Sequence, residues 1–406
     1  MTHICPACHA LHFITEWEQR TSRLHPVFTK CCAHQTIQLP PFQPLPNPLA
    51  QLMCHDSEDP NAKHFKENIQ QYNHALSFVS LGAHRDERVE GGGVYSYCIH
   101  GALHHRYGPA RPNNDQRPVY NQLYFLDPEV AKQERERRNT NLKPQILGEL
   151  GEMLEATHPY AGHFKHAFEV LQAQEQQNRV AGRPNEVVEV RIHFDPQKDQ
   201  RRYNLPTVDE VAVVIPNGLS NERRDFVLHN RTDGYLTNMS TGNPAYMPLH
   251  YVLAFPHGEH GWHWNIPKVG EDDEGTRTRT SKNVTEMQYY RYRLHFRNLP
   301  WSLHLFRCGR LFQQFIVDAW VSVEQDRLNW IQHNQKTIRA DLYNGLVDSV
   351  AHNDHDRNLT EIGKRVILPA SFVSSARYMY QLYQDSMAIV RWAGRPDIFL
   401  TLTANP

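Results

Sequence analysis

Four of the seven cysteines form two pairs near the start of the chain: Cys5, Cys8, Cys31 and Cys32. Zinc takes four sulfur or nitrogen ligands in a tetrahedron, and a CxxC sequence supplies two of them from one tight turn. Adjacent side chains rarely reach one metal without a kinked backbone, so His34 could replace either Cys31 or Cys32, with His9 a weaker substitute. The spacing predicts a structural zinc site, and the alternative is a set of reduced, buried cysteines without a metal.

A second group of possible metal ligands lies in HGEHGWHW, where His257, His260 and His263 recur three residues apart with Glu259 between them. On a helix this spacing suits a metal, and the site would then belong to a metal-dependent nuclease or hydrolase. Two glycines in the same stretch favour a loop instead. With 26 histidines in the chain, a structural or surface cluster is the simpler interpretation.

Basic and aromatic residues alternate in YYRYRLHFR, residues 289–297, and again over residues 376–392. Arginine neutralises phosphates, and aromatic rings stack on unpaired bases. An amphipathic helix whose aromatic side chains pack inward explains the first segment equally well. The predicted phosphate contacts are Arg291, Arg293, Arg297, Arg310 and Arg377.

Motifs of common nucleotide-binding and hydrolytic enzymes are missing from the sequence. It contains no GxxxxGK[ST] loop to cradle a phosphate and no G-x-S-x-G turn to present a serine. We therefore expect no ATP site and name no catalytic residue.

Composition indicates a folded protein, with 40% hydrophobic and 21% charged residues. The net charge of −1 conceals an asymmetry, because the residues from Thr276 onward carry 17 basic and 11 acidic side chains. A basic C-terminal third is compatible with a polyanion such as DNA. The sequence contains no run of about 18 apolar residues, so it predicts no membrane helix. The odd number of cysteines favours a reducing compartment.

Changes in composition divide the chain into a cysteine-rich module with a proline-rich exit, an α+β region, a polar linker and a largely helical region: residues 1–55, 56–270, 271–284 and 285–406. In the second region, alternation predicts strands in EVVEVRIHF, EVAVVIPN and DFVLHN, with MPLHYVLAFPHG and NQLYFLD as further candidates. GGGVYSYCIHGALHHRYG is predicted to form two strands about a turn at His100-Gly101. Helices are predicted over residues 145–178 and across much of residues 286–350.

Several segments of the C-terminal half occur in a recognisable order: YYRYRLHFRN, CGRLFQQFIVDAW, VEQDRLNWIQHNQKTIRADLY and LPASFVSSARYMYQLYQDSMAIVRWAGRPDIFLTLTANP. Upstream of them, LHYVLAFPHGEHGWHW contains the pattern apolar-Pro-x-Gly-Glu-x-Gly-Trp. Together they resemble the helicase-like N-terminal region of Helitron rolling-circle transposases. The start of the chain, CPACHALHFITEWE with the later CC and LPPF, is similar to the zinc-finger-like start of fungal members.

This resemblance implies a large replicase fused to a helicase, with a nuclease of the HUH type. In such a nuclease, two histidines around one hydrophobic residue bind a divalent metal, and tyrosines attack the scissile phosphate. The first strand of the HUH nuclease is matched in this sequence by FLTLT, residues 399–403. No two of the 26 histidines are two positions apart, and the Walker motifs of the helicase are missing too. The sequence therefore departs from the family at its catalytic residues.

The expected fold is α+β, with a zinc-finger-like N-terminal module, a mixed middle region and a largely helical C-terminal region that ends in the first strand of an incomplete HUH-type sheet. The expected function is that of the N-terminal, non-catalytic portion of a nuclear Helitron replicase. It would bind transposon ends or single-stranded DNA, and the nuclease and helicase domains would be missing. The alternative is a truncated remnant without function, in which residues 398–403 leave an unpaired strand edge.

Overall fold

The structure is a computed structural model, and it describes residues 3–18, 27–54, 57–85, 99–107, 117–180, 188–192, 212–216, 226–229, 237–269, 282–299, 302–335, 368–373, 375–394 and 398. Within these ranges the fold is mixed α+β with helices predominating. The predicted α+β class is thereby confirmed. The predicted nuclease strand, residues 399–403, lies outside the described residues.

Two compact units make up the chain. The first comprises Met1–His84 and Ile99–Trp320, and the second comprises Arg85–Cys98 and Val321–Pro406. The domain boundaries expected from composition stay predictions, and most of the expected linker at residues 271–284 lies outside the described residues.

The described helices, in chain order, are α1 Leu49–Leu52, α2 Pro60–Glu67, α3 Ile69–Leu76, α4 Pro128–Arg138, α5 Pro144–Thr157, α6 Pro159–Val180, α7 Tyr246–His250, α8 Glu286–Leu294, α9 His304–Arg307, α10 Arg310–His333 and α11 Ala376–Ala393. The described strands are β1 His3–Ile4, β2 Leu11–His12, β3 Ser80–Arg85, β4 Ile99–Tyr107, β5 Val188–Ile192, β6 Ala212–Pro216, β7 Phe226–His229 and β8 Thr237–Asn238. Short 3₁₀ helices cover Ile14–Glu16 and Tyr120–Phe125. None of the described helices is long and apolar enough to cross a membrane.

Local sequence explains where several helices begin. Asp59 precedes Pro60, and its carboxylate accepts a hydrogen bond from the Asn61 amide at 2.9 Å. At α8, the Thr285 hydroxyl accepts from the Gln288 amide at 3.3 Å, and the Gln288 side chain accepts from the Thr285 amide at 3.0 Å. These contacts satisfy amide groups that have no partner inside the helix, so each residue fixes its helix start.

Three small sheets accompany the helices. β1 pairs antiparallel with β2, β4 lies between β3 and β8, and β5 lies between β6 and β7 with both pairings antiparallel. The strands predicted in EVVEVRIHF, EVAVVIPN and DFVLHN are confirmed, since they contain β5, β6 and β7. The helices predicted over residues 145–178 are confirmed as α5 and α6.

Three local predictions are wrong. NQLYFLD is predicted to be a strand but contributes to a 3₁₀ helix at Tyr120–Phe125. The side chains from Asn121 to Phe125 are all buried, so no alternation of buried and exposed residues distinguishes a strand here. MPLHYVLAFPHG forms the end of α7 and the turns that follow it, and it too is buried on all sides. The turn predicted at His100-Gly101 is wrong, because both residues lie within strand β4.

An aromatic core holds the helices of the first unit together. The Phe78 ring lies 4.1 Å from the Tyr124 ring and 5.1 Å from the Phe164 ring, centroid to centroid. In the same unit, the β1–β2 hairpin joins the segment after α8 through a hydrogen bond of 2.8 Å from the Leu11 amide to the Phe296 carbonyl. That bond places the cysteine-rich module against residues far along the chain.

Candidate metal centre and nucleic-acid surface

The four predicted cysteine ligands come together: Cys5, Cys8, Cys31 and Cys32 place their sulfur atoms within 4.8 Å of one another. The Cys5 and Cys31 sulfurs each lie 3.9 Å from that of Cys32. A tetrahedron of sulfurs around zinc, with Zn–S bonds of about 2.3 Å, has S–S edges of roughly 3.8 Å. The cluster therefore has the dimensions of a tetrathiolate zinc site.

Two tight turns bring the sulfurs together. The first connects β1 to β2, where the His9 amide donates to the Cys5 carbonyl at 2.9 Å and His9 has a φ of 59°. The second follows Cys32, where Ala33, His34 and Gln35 have φ values of 47°, 55° and 70°. Non-glycine residues adopt this left-handed conformation at a cost of roughly 1–2 kcal/mol each. The second turn supplies the kinked backbone that adjacent cysteines need to face one metal.

Charges within the cluster are shared unequally. Hydrogen bonds from the Cys31 and Cys32 thiols hold the pKa of the Cys8 thiol well below its usual range, and Arg297 acts in the same direction. Hydrogen bonds to Cys32 and Cys8 raise the pKa of the Cys31 thiol. These contacts favour the deprotonated form of the Cys8 thiol, which is the form in which cysteine binds a metal.

Neither histidine considered as a substitute ligand belongs to the cluster. The His34 side chain is 59% exposed and lies 3.6 Å from the carboxylate of Glu18. His9 is exposed at the tip of its turn. Four sulfur donors, buried or half-buried and without an open position, fit a structural zinc ion held by the cysteines alone.

The five arginines predicted to contact phosphate have different surroundings. Arg291 and Arg310 are exposed, and Arg377 is half-buried. Arg293 is 9% exposed, donates to the Pro40 carbonyl at 2.8 Å and lies over the Phe42 ring.

Arg297 is 2% exposed and donates to the Cys8 carbonyl at 2.9 Å. The phosphate contacts predicted for Arg293 and Arg297 stay predictions, and in this fold both guanidinium groups are enclosed by protein atoms. Sequence alternation could not reveal this, since part of each enclosure comes from the distant N-terminal module, at Phe42 for Arg293 and at Cys8 for Arg297.

The two segments of alternating basic and aromatic residues also differ. In α8, Tyr289, Tyr290 and Tyr292 are all buried, so the aromatic side chains of this segment pack inward, although Glu286 and Arg293 are buried with them. In α11, none of the residues is buried, and Tyr383 and Trp392 are 56% and 90% exposed. Open aromatic faces thus occur on α11 and not on α8.

The histidines of HGEHGWHW do not form a metal site. Among the described residues, the only group with metal-ligand spacing is the cysteine cluster. His257 Nε2 donates to the Pro44 carbonyl at 2.9 Å, and burial lowers the pKa of His260 to about 4. Burial also raises the pKa of the Glu259 carboxyl. The hydrolase alternative therefore loses its metal centre, and these side chains help to pack the loop.

One polar cluster of the first unit was not foreseen. His105 Nε2 lies 2.6 Å from Asp318 Oδ2, and the Tyr251 hydroxyl donates to the same oxygen at 2.8 Å. Burial alone would raise the pKa of Asp318, but His105 holds it below its ordinary value. The only signal in the sequence was a single aspartate inside the apolar run FIVDAW, which must be paired if that helix face is buried.

Comparison with known proteins covers the last part of the chain. Residues 289–406 match the model of the Helitron helicase-like domain at N-terminus. No curated protein matches the chain. The matched range contains the end of α8, all of α9, α10 and α11, and the Arg297 that contacts the cysteine module. Residues 289–406 of this protein thus match the Helitron helicase-like N-terminal domain, the family that the resemblance predicted.

Proposed function

We propose that this chain is a DNA-binding, non-catalytic N-terminal portion of a nuclear Helitron replicase and that it contacts single-stranded DNA through α11. The observation that carries the proposal is the exposed aromatic surface of α11 within the Helitron helicase-like domain. Large aromatic side chains are costly to leave open to water unless they have a partner. Unpaired bases are suitable partners, because every base offers a flat face for stacking.

The arrangement of rings along α11 supports this role. Tyr380 and Tyr383 lie 6.3 Å apart between ring centroids, 49% and 56% exposed. Trp392 lies more than two turns further along the helix beside Arg391, which is also exposed. Separate stacking platforms with a nearby guanidinium are the usual elements of surfaces that bind a single strand.

On α11 itself, the half-buried Arg377 would contact a backbone phosphate, whereas Arg291 and Arg310, which this fold leaves exposed, stay separate predicted phosphate contacts. Each phosphate neutralised releases counterions, so affinity should fall as salt rises, with a slope of about −0.7 per contact for a single strand. The 406 residues contain no histidine pair two positions apart and no GxxxxGK[ST] loop. We accordingly assign DNA binding, and no nicking or ATP-driven step, to the residues of this chain.

Zinc completes the proposal as a structural cofactor. Bound to Cys5, Cys8, Cys31 and Cys32, it would cross-link the two turns of a module that has little apolar core of its own. The two turns would orient the thiolates, and the β1–β2 hairpin holds the module against Phe296.

Fluorescence anisotropy with labelled single-stranded and duplex oligonucleotides of the same sequence tests the function. We expect tighter binding to the single strand, sensitivity to salt, and a loss of about 1–3 kcal/mol for each of Tyr383→Ala and Trp392→Ala. The matched control is the double variant Gln381→Ala/Gln384→Ala, which removes exposed polar side chains from the same helix. A set containing transposon-terminal sequences reports any preference for ends.

Absence of binding at low salt would overturn DNA binding as the function. Full affinity in both aromatic variants would instead show that α11 is not the contact surface, whatever the chain binds.

A further inference from the structure

Arg297 is a buried cation for which no carboxylate partner exists among the described residues. Its side chain is 2% exposed, and its guanidinium lies 4.2 Å from the centre of the Tyr292 ring. Its donors reach the carbonyl groups of Cys8, Tyr292 and His295 at 2.9, 2.6 and 3.1 Å. Carbonyl groups satisfy its hydrogen bonds but do not balance its charge, and an unbalanced buried charge is costly.

One further contact indicates where the balancing charge lies. Nη2 of Arg297 is 3.5 Å from the sulfur of Cys8, within hydrogen-bonding range for a thiolate acceptor. Four thiolates around one Zn²⁺ carry a net charge of two minus, which a buried site must also balance. The guanidinium of Arg297 would therefore balance part of the negative charge of the zinc–thiolate cluster, and the cluster would balance the charge of Arg297.

We propose that Arg297 is the counter-ion and positioning residue of the zinc centre, and that it couples metal binding to the start of the Helitron helicase-like domain. This role rests on the zinc site of the proposed function. The guanidinium fixes the first turn through the Cys8 carbonyl and stabilises negative charge at the Cys8 sulfur. The neighbouring Phe296 carbonyl accepts from the Leu11 amide at 2.8 Å, so residues 296 and 297 contact the hairpin within its turn and at the start of β2.

This coupling predicts effects in both directions. Loss of the metal should loosen the segment 292–297, because Arg297 would then remain buried beside thiols that carry less charge. Loss of the guanidinium should weaken metal binding, since groups that hydrogen-bond to metal ligands typically contribute 10- to 100-fold to affinity. Lysine keeps the charge but lacks the planar fork that reaches three acceptors, so Arg297→Lys should fall between Arg297→Gln and the native chain.

The test compares the full chain with Arg297→Gln, Arg297→Lys and the control Arg307→Gln, whose arginine is exposed on α9. Zinc affinity is measured by competition with a chromophoric chelator, and Co²⁺ substitution reports the coordination through its sulfur-to-cobalt charge-transfer band. We expect about 10- to 100-fold weaker zinc binding for Arg297→Gln, an intermediate loss for Arg297→Lys and none for Arg307→Gln. Removal of a hydrogen bond to sulfur should also shift the charge-transfer band to lower energy, which a purely structural arginine would not do.

Hydrogen exchange of the native chain provides a measurement that needs no variant. Amides of residues 292–297 should exchange faster after the metal is removed, while those of α5 keep their protection. Native zinc affinity and an unshifted cobalt band in Arg297→Gln would overturn the role of Arg297 and leave the zinc site standing. A native chain that binds no metal would overturn the zinc site itself, and this role with it.

Discussion

The imidazole of His105 in β4 lies 2.6 Å from the carboxylate of Asp318 in α10, and both side chains are at most 1% exposed. The pair joins residues 213 positions apart in sequence. His105 is fixed at its other nitrogen, since Nδ1 lies 2.7 Å from the Tyr246 carbonyl. A buried carboxylate such as that of Asp318 is tolerated only while its hydrogen-bond partners remain. Separating β4 from α10 would leave it without His105, which would cost free energy.

Removal of Asp318 should be strongly destabilising. Asp318→Ala leaves His105 and the Tyr251 hydroxyl buried without their shared acceptor, and we expect a loss of about 3–5 kcal/mol in the free energy of unfolding. Asp318→Asn keeps the volume and one acceptor and should cost less. Urea unfolding followed by tryptophan fluorescence measures both, with Asp385→Asn on the exposed surface of α11 as the control. A loss below about 1 kcal/mol for Asp318→Ala would contradict the structural importance of the pair.

Stability should decline on the acid side of neutrality because of two buried histidines. Burial lowers the pKa of His158 and of His250 to about 3, whereas an unfolded histidine titrates near about 6.5. Below about pH 6.5, these two histidines bind protons in the unfolded chain but not in the folded chain. Stability is therefore full above about pH 6.5 and falls toward about pH 3, by roughly 1.4 kcal/mol per pH unit for each histidine.

Thermal unfolding at a series of pH values checks this dependence. His158→Gln should reduce the slope between about pH 6 and pH 4, even if it lowers stability at every pH, whereas His333→Gln at an exposed position should leave the slope unchanged. A slope identical in the native chain and His158→Gln would show that His158 does not drive the acid response.

Single serine substitutions of the cysteines distinguish the possible ligand sets. We expect Cys5→Ser, Cys8→Ser, Cys31→Ser and Cys32→Ser each to impair zinc retention, because all four sulfurs lie within 4.8 Å of one another. His34→Ala should retain the metal, since its side chain is turned toward Glu18. Elemental analysis after dialysis against a chelator provides the measurement. Retention in Cys31→Ser together with loss in His34→Ala would restore the alternative in which histidine is a ligand.

Substitution of two arginines of α8 should affect different properties, stability for Arg293 and DNA binding for Arg291. Arg293→Ala removes the contacts with the Pro40 carbonyl and the Phe42 ring, so it should cost about 1–3 kcal/mol of stability. Arg291→Ala changes an exposed side chain and should alter stability by less than about 0.5 kcal/mol. If Arg291 contacts a phosphate, its variant should also reduce the salt slope of single-strand binding by about 0.7. Unfolding curves and anisotropy titrations on the same preparations separate the two effects.

Sequence reasoning succeeded where the determining interactions are local. The three strands β5, β6 and β7 follow from alternation over a few residues. The predicted grouping of the four cysteines is confirmed, because CPAC and CC each bring two sulfur donors close together in sequence. The prediction left open whether both Cys31 and Cys32 face the same point, since that depends on the left-handed turn that follows them.

The failures concern residues whose surroundings come from far along the chain. Alternation in residues 289–297 did not distinguish Arg291, which is exposed, from Arg297, which is enclosed by the Cys8 turn. The strand predicted in NQLYFLD failed for a related reason. These residues contribute to the 3₁₀ helix Tyr120–Phe125, in which successive side chains from Asn121 to Phe125 are all buried. A pattern of residue types records which faces are apolar, but it does not record what covers them.

The sequence by itself therefore determined the sulfur donors of the cysteine cluster, the strands β5, β6 and β7, and the match of residues 289–406 to the Helitron helicase-like domain. Tertiary structure decided that both adjacent cysteines join the cluster, that Arg293 and Arg297 are internal, and that α11 exposes its aromatic rings. The physical reason is the range of the interactions. Capping and strand alternation act within a few residues, whereas the contact between Arg297 and Cys8 spans 289 positions and exists only once the chain has folded.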